Sequence, residues 1–423
     1  MDKELETGQL VGPDRGLFAE LVFGVLRRQG TLDHILSTLL DQPLPRLKIQ
    51  TLIILRVGLY QLLYLDRIPE SAAVNESVNL AKKLSPRTAS LVNAVLRNYL
   101  RRRETIIFPD PVTSPAASIA ARHSHPEWLV KQWLNQLGEA ETELLAMASS
   151  ERPPLTLRTN TLRITPDGLL AKFTEKGISA VKCAFSPLGL QLEGRHHIQG
   201  LPGFRDGLFV VQDEASQVAG ALLDAQPGES VLDSCAAPGG KATHLAQMME
   251  NRGELLAMDV SPAKLPLITE TVERLGITII RTLAADLLKN APFGEDRFDR
   301  ILLDAPCSGL GGIRRNPEAK WRLATGDITR MAGTQKAMLI KAAIMLKPGG
   351  TLLYATCSTT LEENEEVVQD FLSHHRGFVL ENLGELFPVL SKLCTSNGLF
   401  RTWPHRHSMD GFFAARLKKL ESL

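Results

Sequence analysis

The sequence predicts three regions of different fold class: an all-α domain over residues 1–108, a small α+β module over 123–215, and a C-terminal α/β domain over 216–423 built on a doubly wound, mostly parallel sheet. Three observations carry this. Residues 1–108 place apolar side chains at helical spacing and hold no convincing period-2 segment. F-P-D-P-V-T-S-P at 108–115 has three prolines in eight residues, which marks a linker, assigned to 109–122. From about residue 220, strand-like apolar runs alternate with helical segments, the pattern of parallel strands joined by right-handed crossovers. A chain of 423 residues is also too long for one ordinary core.

Within the first region, Leu91, Val92, Val95, Leu96, Tyr99 and Leu100 make one broad helix face, and Ser71 after Pro69 is the expected N-cap of the helix carrying Val74, Val78 and Ala81. Charge is uneven here. Residues 71–103 carry Lys82, Lys83, Arg87, Arg97, Arg101, Arg102 and Arg103 against Glu76, a net charge of +6. A terminal Arg triplet alone reads as a solvated helix end that suits the dipole; the whole cluster, spread over two helices and the L-S-P-R connection, reads as a phosphate-binding surface. In the second region, Trp128–Leu137, Glu139–Ala148 and Pro166–Lys176 read as helices and L-T-L-R-T-N at 155–160 as a strand. Arg152, Arg158 and Arg163 are sparse surface arginines that contact water or a polyanion, and the tryptophans read as core. In the third, strands are expected at 231–235, 254–260, 277–286, 298–304, 350–357, 377–382 and 412–417, with a helix over Lys241–Met249.

Composition sets outer limits. The net charge of +1 says nothing of partners, because regional charges cancel. Five scattered cysteines, an odd number, argue for reduced thiols and a cytoplasmic setting. The acidic start M-D-K-E-L-E-T-G shows no basic and apolar leader pattern. The run Leu52–Leu65 contains Arg56 and Gln61 and is too short to span a bilayer, so it reads as a buried helix and no membrane partner is expected.

Every chemical motif falls at a strand end of the third region, where ligands of open α/β sheets bind. D-S-C-A-A-P-G-G-K at 233–241 is a strand-to-helix turn. Gly239 and Gly240 let the backbone approach a ligand, and the helix starting near Lys241 offers N–H groups to an anion. Cys235, Ala236, Ala237, Pro238, Gly239, Gly240 and Lys241 are the expected wall of a cofactor site, Cys235 with a structural part. Asp233, Asp259 and Asp286 close successive strands, where acidic groups accept from a ribose. The G-x-G-x-x-G pattern is absent and Pro238 occupies the turn, which disfavours a nicotinamide dinucleotide. S-adenosylmethionine, with an adenosine and a carboxylate but no pyrophosphate, suits the loop. Two further cysteines sit alike: Cys307 in D-A-P-C-S-G at 304–309 and Cys357 in Y-A-T-C-S at 354–358, each after an apolar run. Cys183 and Cys394 show no partner, no C-x-x-C or His pair suggests a metal, and His405-Arg406-His407 reads as a loop able to touch RNA.

D-S-C-A-A-P-G-G-K, L-D-A-P-C-S-G, and Y-A-T-C-S followed by Glu362, Glu363 and Asn364 resemble the motif series of the RNA cytosine-5 methyltransferases of the Sun/NOL/NOP2 family. The N-terminal helical domain is similar to the NusB fold, which narrows the likeness to the family's bacterial members acting on 16S ribosomal RNA. The resemblance covers almost the whole chain. It departs before the D-R-x-L-x-x-x-L-x-x-G-V-L-R segment at 14–27, where the family has a full first helix and little sequence stands here. It implies a Rossmann-like class I methyltransferase domain, S-adenosyl-L-methionine as cofactor, Cys357 as the attacking nucleophile, Cys307 as the releasing base, and Asp304 on the cytosine ring and at the cofactor. From the residues alone the two thiols are interchangeable. The chemistry needs both: a thiolate adds at carbon 6 to make carbon 5 nucleophilic, and a base then removes the carbon 5 proton so that the adduct can collapse. Transfer RNA is the alternative substrate, and a monomer is the expected state. A Rossmann oxidoreductase and an assembly factor with a vestigial methylation domain compete less well, the first against A-A-P-G-G-K, the second against both cysteines and the aspartates.

Overall fold

The computed structural model describes residues 13–289 and 293–421. The chain divides into two compact units, Met1–Glu151 with Ile313–Arg322, and Arg152–Gly312 with Leu323–Leu423.

The first unit is helical: α1 (Pro13–Leu39), α2 (Ile49–Tyr64), α3 (Glu70–Leu84), α4 (Ala89–Arg102), α5 (Pro115–His123), α6 (Glu127–Leu137) and α7 (Glu139–Ser149). The apolar face expected on α4 is buried through Val92, Val95, Leu96 and Tyr99, and it meets Leu32, Leu36, Leu55 and Leu59 of α1 and α2 in one core. Gly58 lets α2 approach its neighbours closely, since a Cβ there would stand 2.6 Å from Ser77 Oγ and 2.8 Å from Leu96 Cδ1. Two expectations need correction. Ser71 does not cap α3: the helix starts at Glu70, behind Pro69, with no side-chain cap bond, and the acidic Glu70 in the first turn suits the dipole instead. Residues 115–123, read as the end of the linker, form α5 with Ser118, Ile119 and Ala120 buried; Pro115 is a helix-starting proline at the first turn, where its missing N–H costs nothing. Helices α6 and α7 also lie in this compact unit. The stretch before residue 13 lies outside the described residues. Lys82, Lys83, Arg87, Arg97, Arg101 and Arg102 are exposed, while Arg103 pairs with Glu70 at 2.7 Å.

In the second unit, β1 (Leu155–Thr159), α8 (Pro166–Glu175), β2 (Ala180–Lys182), β3 (Gly189–Leu192) and β4 (Phe209–Val211) come first. The four strands form an antiparallel sheet of order β2-β3-β1-β4. Thr165 caps α8 by accepting from Gly168 N–H, and the helix buries Leu169 and Phe173 against Leu157, Leu190 and Phe209.

The remaining elements are α9 (Glu214–Ala221), β5 (Ser230–Asp233), α10 (Gly240–Met248), β6 (Glu254–Asp259), α11 (Leu265–Leu275), β7 (Ile280–Ala284), β8 (Phe298–Asp304), α12 (Ala319–Arg322, in the first unit), α13 (Thr325–Met345), β9 (Leu346–Thr356), α14 (Glu365–His374), β10 (Phe378–Leu380), α15 (Leu383–Leu386), β11 (Phe400–Thr402), α16 (Pro404–His407) and β12 (Phe412–Lys419). The main sheet has the order β10-β12-β9-β8-β5-β6-β7, with β11 beside β12. Strands β5 to β9 are parallel, and β12 runs antiparallel to β9 and β10. Both faces are covered, so the central strands carry continuous apolar runs, Ile301–Leu303 in β8 and Leu352–Ala355 in β9, rather than alternating ones. Leu302, Leu353 and Ala355 join the core under α9, α10 and α11, and Ile301, Leu303, Leu352 and Tyr354 join the one under α13 and α14. The strand order reverses between β5 and β8, and the crevice beyond their carboxyl ends is where such sheets bind ligands.

Candidate active site

Asp233, Asp259 and Asp304 are the last residues of β5, β6 and β8, and Asp286 stands two residues past β7. The turn 234–239 joins β5 to α10. Gly239 has φ +102°, a left-handed conformation that suits glycine, and its carbonyl accepts from Thr243 Oγ1 at 2.8 Å. Asp259 is buried and accepts from Ala237 N–H at 3.2 Å and Ser261 N–H at 2.9 Å, so it ties the cofactor turn to the neighbouring strand. Asp286 accepts from Leu288 N–H at 3.0 Å and meets the exposed Lys289 at 3.4 Å.

Asp233 is different. It is 1% exposed, and among the described residues its carboxylate has no hydrogen-bond partner of ordinary geometry. Burial first, then the charge of Asp304, push its pKa up to about 7, against the opposing pull of Lys241 and the Cys235 N–H. Such orphan acceptors fit a ligand that brings donors and positive charge, as the ammonium, sulfonium and ribose hydroxyls of S-adenosylmethionine do; Asp259 and the glycine turn complete the fit. The raised pKa fixes a sign. In the protein without ligand, destabilisation by Asp233 is absent below pH ~4, grows as pH rises, and is complete above about pH 7. Asp233→Asn is therefore expected to stabilise the ligand-free protein at pH 8 by about 2–4 kcal/mol, with the gap closing towards pH 4, while weakening S-adenosylmethionine binding. Thermal melts at the two pH values and a cofactor titration check it; equal melts at pH 8 would sink the idea.

The two thiols meet at adjacent strand tips. Strands β8 and β9 are parallel neighbours with Asp304 opposite Ala355; Cys357 follows β9 directly and Cys307 lies three residues past β8. Their sulfurs are 3.4 Å apart. The hydrogen bond from Cys307 lowers the Cys357 pKa below the ordinary thiol value, and Lys241 acts in the same direction against burial. The same hydrogen bond and burial hold Cys307 well above it. Of the two thiols, Cys357 is the more acidic. Lys241 turns inward: Nζ lies 2.7 Å from Asp304 Oδ2 and 4.8 Å from the ring centre of Phe412. Cys235 is held up by burial and neighbouring aspartates, an inert thiol in the turn.

A buried network that sequence reasoning missed fixes both loops. The Glu363 carboxylate, 0% exposed, accepts from Ser308 N–H at 2.8 Å, Ser308 Oγ, Ser358 Oγ, Gln335 Nε2 at 3.0 Å and Thr360 Oγ1 at 3.1 Å. Asn364 bonds Thr356 and the Ser358 carbonyl. Gly311 N–H donates to the Cys357 carbonyl and Gly411 N–H to the Gly311 carbonyl, both at 2.9 Å. The E-E-N run after Y-A-T-C-S was the available signal for Glu363 and Asn364; nothing in the sequence marks Gln335, inside α13.

Arg158 is a correction: it is 1% exposed, not a surface arginine. Its guanidinium donates to Gln212 Oε1, to the Gly240 carbonyl at 2.6 Å and to Thr243 Oγ1 at 3.0 Å, so β1 braces the first turn of α10. Burial lowers its pKa to about 9. Likewise His405-Arg406-His407 lies in the short helix α16, where His407 Nδ1 accepts from Trp403 N–H at 2.9 Å. All five cysteines are free thiols. Among the described residues no group of three or more His, Cys, Asp or Glu side chains is placed to hold a metal, and no helix is long and apolar enough to cross a membrane.

An open sheet of this strand order, with a glycine turn on its first strand and acidic residues closing the neighbours, defines an S-adenosylmethionine-dependent methyltransferase. Comparisons with known proteins narrow the class. The family model described as 16S rRNA methyltransferase RsmB/F matches residues 220–418, the NusB family model matches 1–101, and the ferredoxin-like domain of RsmF/B-like methyltransferases matches 125–199. The chain is 37% identical over 422 residues to the probable ribosomal RNA small subunit methyltransferase B of a Synechocystis species, covering 99% of this chain and 94% of the relative. It is 38% identical to ribosomal RNA small subunit methyltransferase B of Pseudomonas putida, covering 96% and 91%. Among solved structures, a methyltransferase homolog from Pyrococcus horikoshii matches with a TM-score of 0.64 and 30% identity, covering 72% of this chain and 99% of that one. The chain belongs to the 16S rRNA methyltransferase RsmB/F family.

Proposed function

We propose that this protein methylates carbon 5 of a cytosine in 16S ribosomal RNA through a covalent adduct with Cys357 that Cys307 resolves. The observation that carries this is the pair of thiols 3.4 Å apart at adjacent strand tips, with Cys357 the more acidic. S-adenosylmethionine, when bound, supplies an electrophilic methyl group. Cys357 adds through its sulfur to carbon 6 of the cytosine, which places electron density on carbon 5. Asp304, with Oδ2 held by Lys241, has its other oxygen to accept from the exocyclic amine, and from N3 once that nitrogen carries a proton. In the adduct the Cys357 sulfur is a neutral thioether, so its charge no longer opposes ionisation of Cys307. Cys307 then takes the proton from carbon 5, the C5–H electrons re-form the double bond, and Cys357 leaves as thiolate.

The base must reach the crevice unstacked, at a cost of roughly a few kcal/mol that is least in a loop. The exposed Lys82, Lys83, Arg87, Arg97, Arg101 and Arg102 support a role for the helical domain, drawn at 1–108, in holding flanking phosphates. The module drawn at 123–215 assists, and the domain drawn at 216–423 carries the chemistry. Work as a cytoplasmic monomer is part of this reading. The test uses the purified protein, labelled S-adenosylmethionine and unmodified small-subunit ribosomal RNA, read by bisulfite sequencing. One new bisulfite-resistant cytosine is expected. Label without a resistant cytosine overturns the carbon 5 target, and resistance in transfer RNA alone overturns the substrate.

A further inference from the structure

Lys320 lies in α12, in the connection from β8 to α13, and is buried with 1% exposure. Among the described residues no carboxylate pairs with its ammonium. Nζ instead lies 2.5 Å from the Ser124 carbonyl, 3.3 Å from the Arg27 carbonyl and 3.5 Å from His125 Nδ1. His125 Nε2 stands 2.8 Å from the Ala146 carbonyl. A ring nitrogen facing a carbonyl carries the hydrogen, which leaves Nδ1 as an acceptor. Three acceptors thus face Nζ at the C-terminal end of α5, where the helix carbonyls carry partial negative charge, while burial and the charges of Arg28 and Arg27 push the lysine's pKa well down. Beside it, Trp321 Nε1 donates to the Leu26 carbonyl at 2.9 Å, and Gly30 makes room for the ring, since a Cβ there would stand 2.8 Å from Cη2. Arg27 donates to the Arg314 carbonyl at 3.2 Å.

Residues 313–322 are therefore a built part of the helical unit, yet they continue the loop that carries Cys307. On its near side that loop is held by Ser308 on Glu363 and by Gly311 on the Cys357 carbonyl; after Gly312 the chain joins the helical unit and returns at Leu323. Cys357 also meets this loop through its carbonyl on Gly311 N–H, but it directly follows β9 and so depends less on the second attachment. We propose that Lys320 is a positioning residue for Cys307: its seat in the helical unit fixes the far side of the Cys307 loop, so that loosening it impairs release of the product more than attack on the base. This rests on the role proposed for Cys307.

The experiment runs wild type, Lys320→Met, Trp321→Phe and Cys307→Ala with S-adenosylmethionine and small-subunit ribosomal RNA on a denaturing gel, beside steady-state turnover and cofactor affinity. Lys320→Met is expected to slow turnover by about 10²-fold, the usual cost of misplacing a reacting group by about 1 Å. It should also accumulate a protein–RNA band absent from wild type, lost when Cys357 is also replaced, with cofactor affinity unchanged. Trp321→Phe, which keeps a ring in the seat and removes the bond to Leu26, should shift both readouts the same way by less. A slowed Lys320→Met without a band, while Cys307→Ala gives one, overturns the positioning role alone; so does wild-type turnover in both folded variants. No band from Cys307→Ala overturns the reading of Cys307, and this proposal with it.

Discussion

Cys307→Ala, mixed with S-adenosylmethionine and small-subunit ribosomal RNA, is expected to yield a protein–RNA species that survives denaturation. Cys357 remains to attack, and methyl transfer proceeds, but the adduct then lacks the group that removes the carbon 5 proton. Losing a positioned base slows such a step by about 10²–10⁴-fold, long enough for the adduct to become the dominant form of the enzyme. The band should vanish in the Cys307→Ala, Cys357→Ala double variant. There is a second, smaller effect. The Cys307 hydrogen bond is the largest cause lowering the Cys357 pKa, so its removal raises that pKa, and the band should form faster as pH increases. A band that persists in the double variant would mean that neither thiol attacks the base, and a band from Cys357→Ala alone would reverse the two roles.

Glu363→Ala should be the most damaging change outside the reacting groups. The carboxylate is wholly buried and serves donors from Ser308, Ser358, Gln335 and Thr360. Truncation leaves several of these donors without an acceptor, at about 1–3 kcal/mol each, and opens a cavity as well. We expect a loss of at least about 3 kcal/mol and a melting temperature lower by roughly 6–12 °C. Since Ser308 adjoins Cys307 and Ser358 adjoins Cys357, iodoacetamide should also reach both thiols faster. Glu363→Gln, which keeps the shape and one acceptor, should fall between. Unchanged melting and unchanged alkylation in Glu363→Ala would mean that the cysteine loops are held by the strands alone.

The parts of this structure that sequence could reveal are those with a local or periodic cause. Strand β8, Phe298–Asp304, was readable from its run Ile301–Leu303, apolar on both faces as in a covered parallel strand, which stops at an acidic residue. The matched placement of Cys307 and Cys357 was readable because each follows such a run. What stayed hidden is polar and buried through distant partners. Arg158 occupies the outward position of an alternating strand, and Gln212 and α10, brought over from far along the chain, cover it. Glu363 looks like any acid before a helix until Ser308 arrives beneath it. Strand β11, three residues ending before Trp403-Pro404, is too short to show a period, and its existence depends on pairing with β12.

The split make-up of the helical unit also has a meaning for biosynthesis. Its residues 313–322 emerge when about three-quarters of the 423-residue chain has been made. At roughly 5–20 residues per second, the helices up to Ser149 wait on the order of ten to thirty seconds for their last piece. Until then the carbonyls of Ser124 and Arg27 lack the Lys320 donor that they have in the full chain. The helical unit is thus complete only once residue 322 has been made.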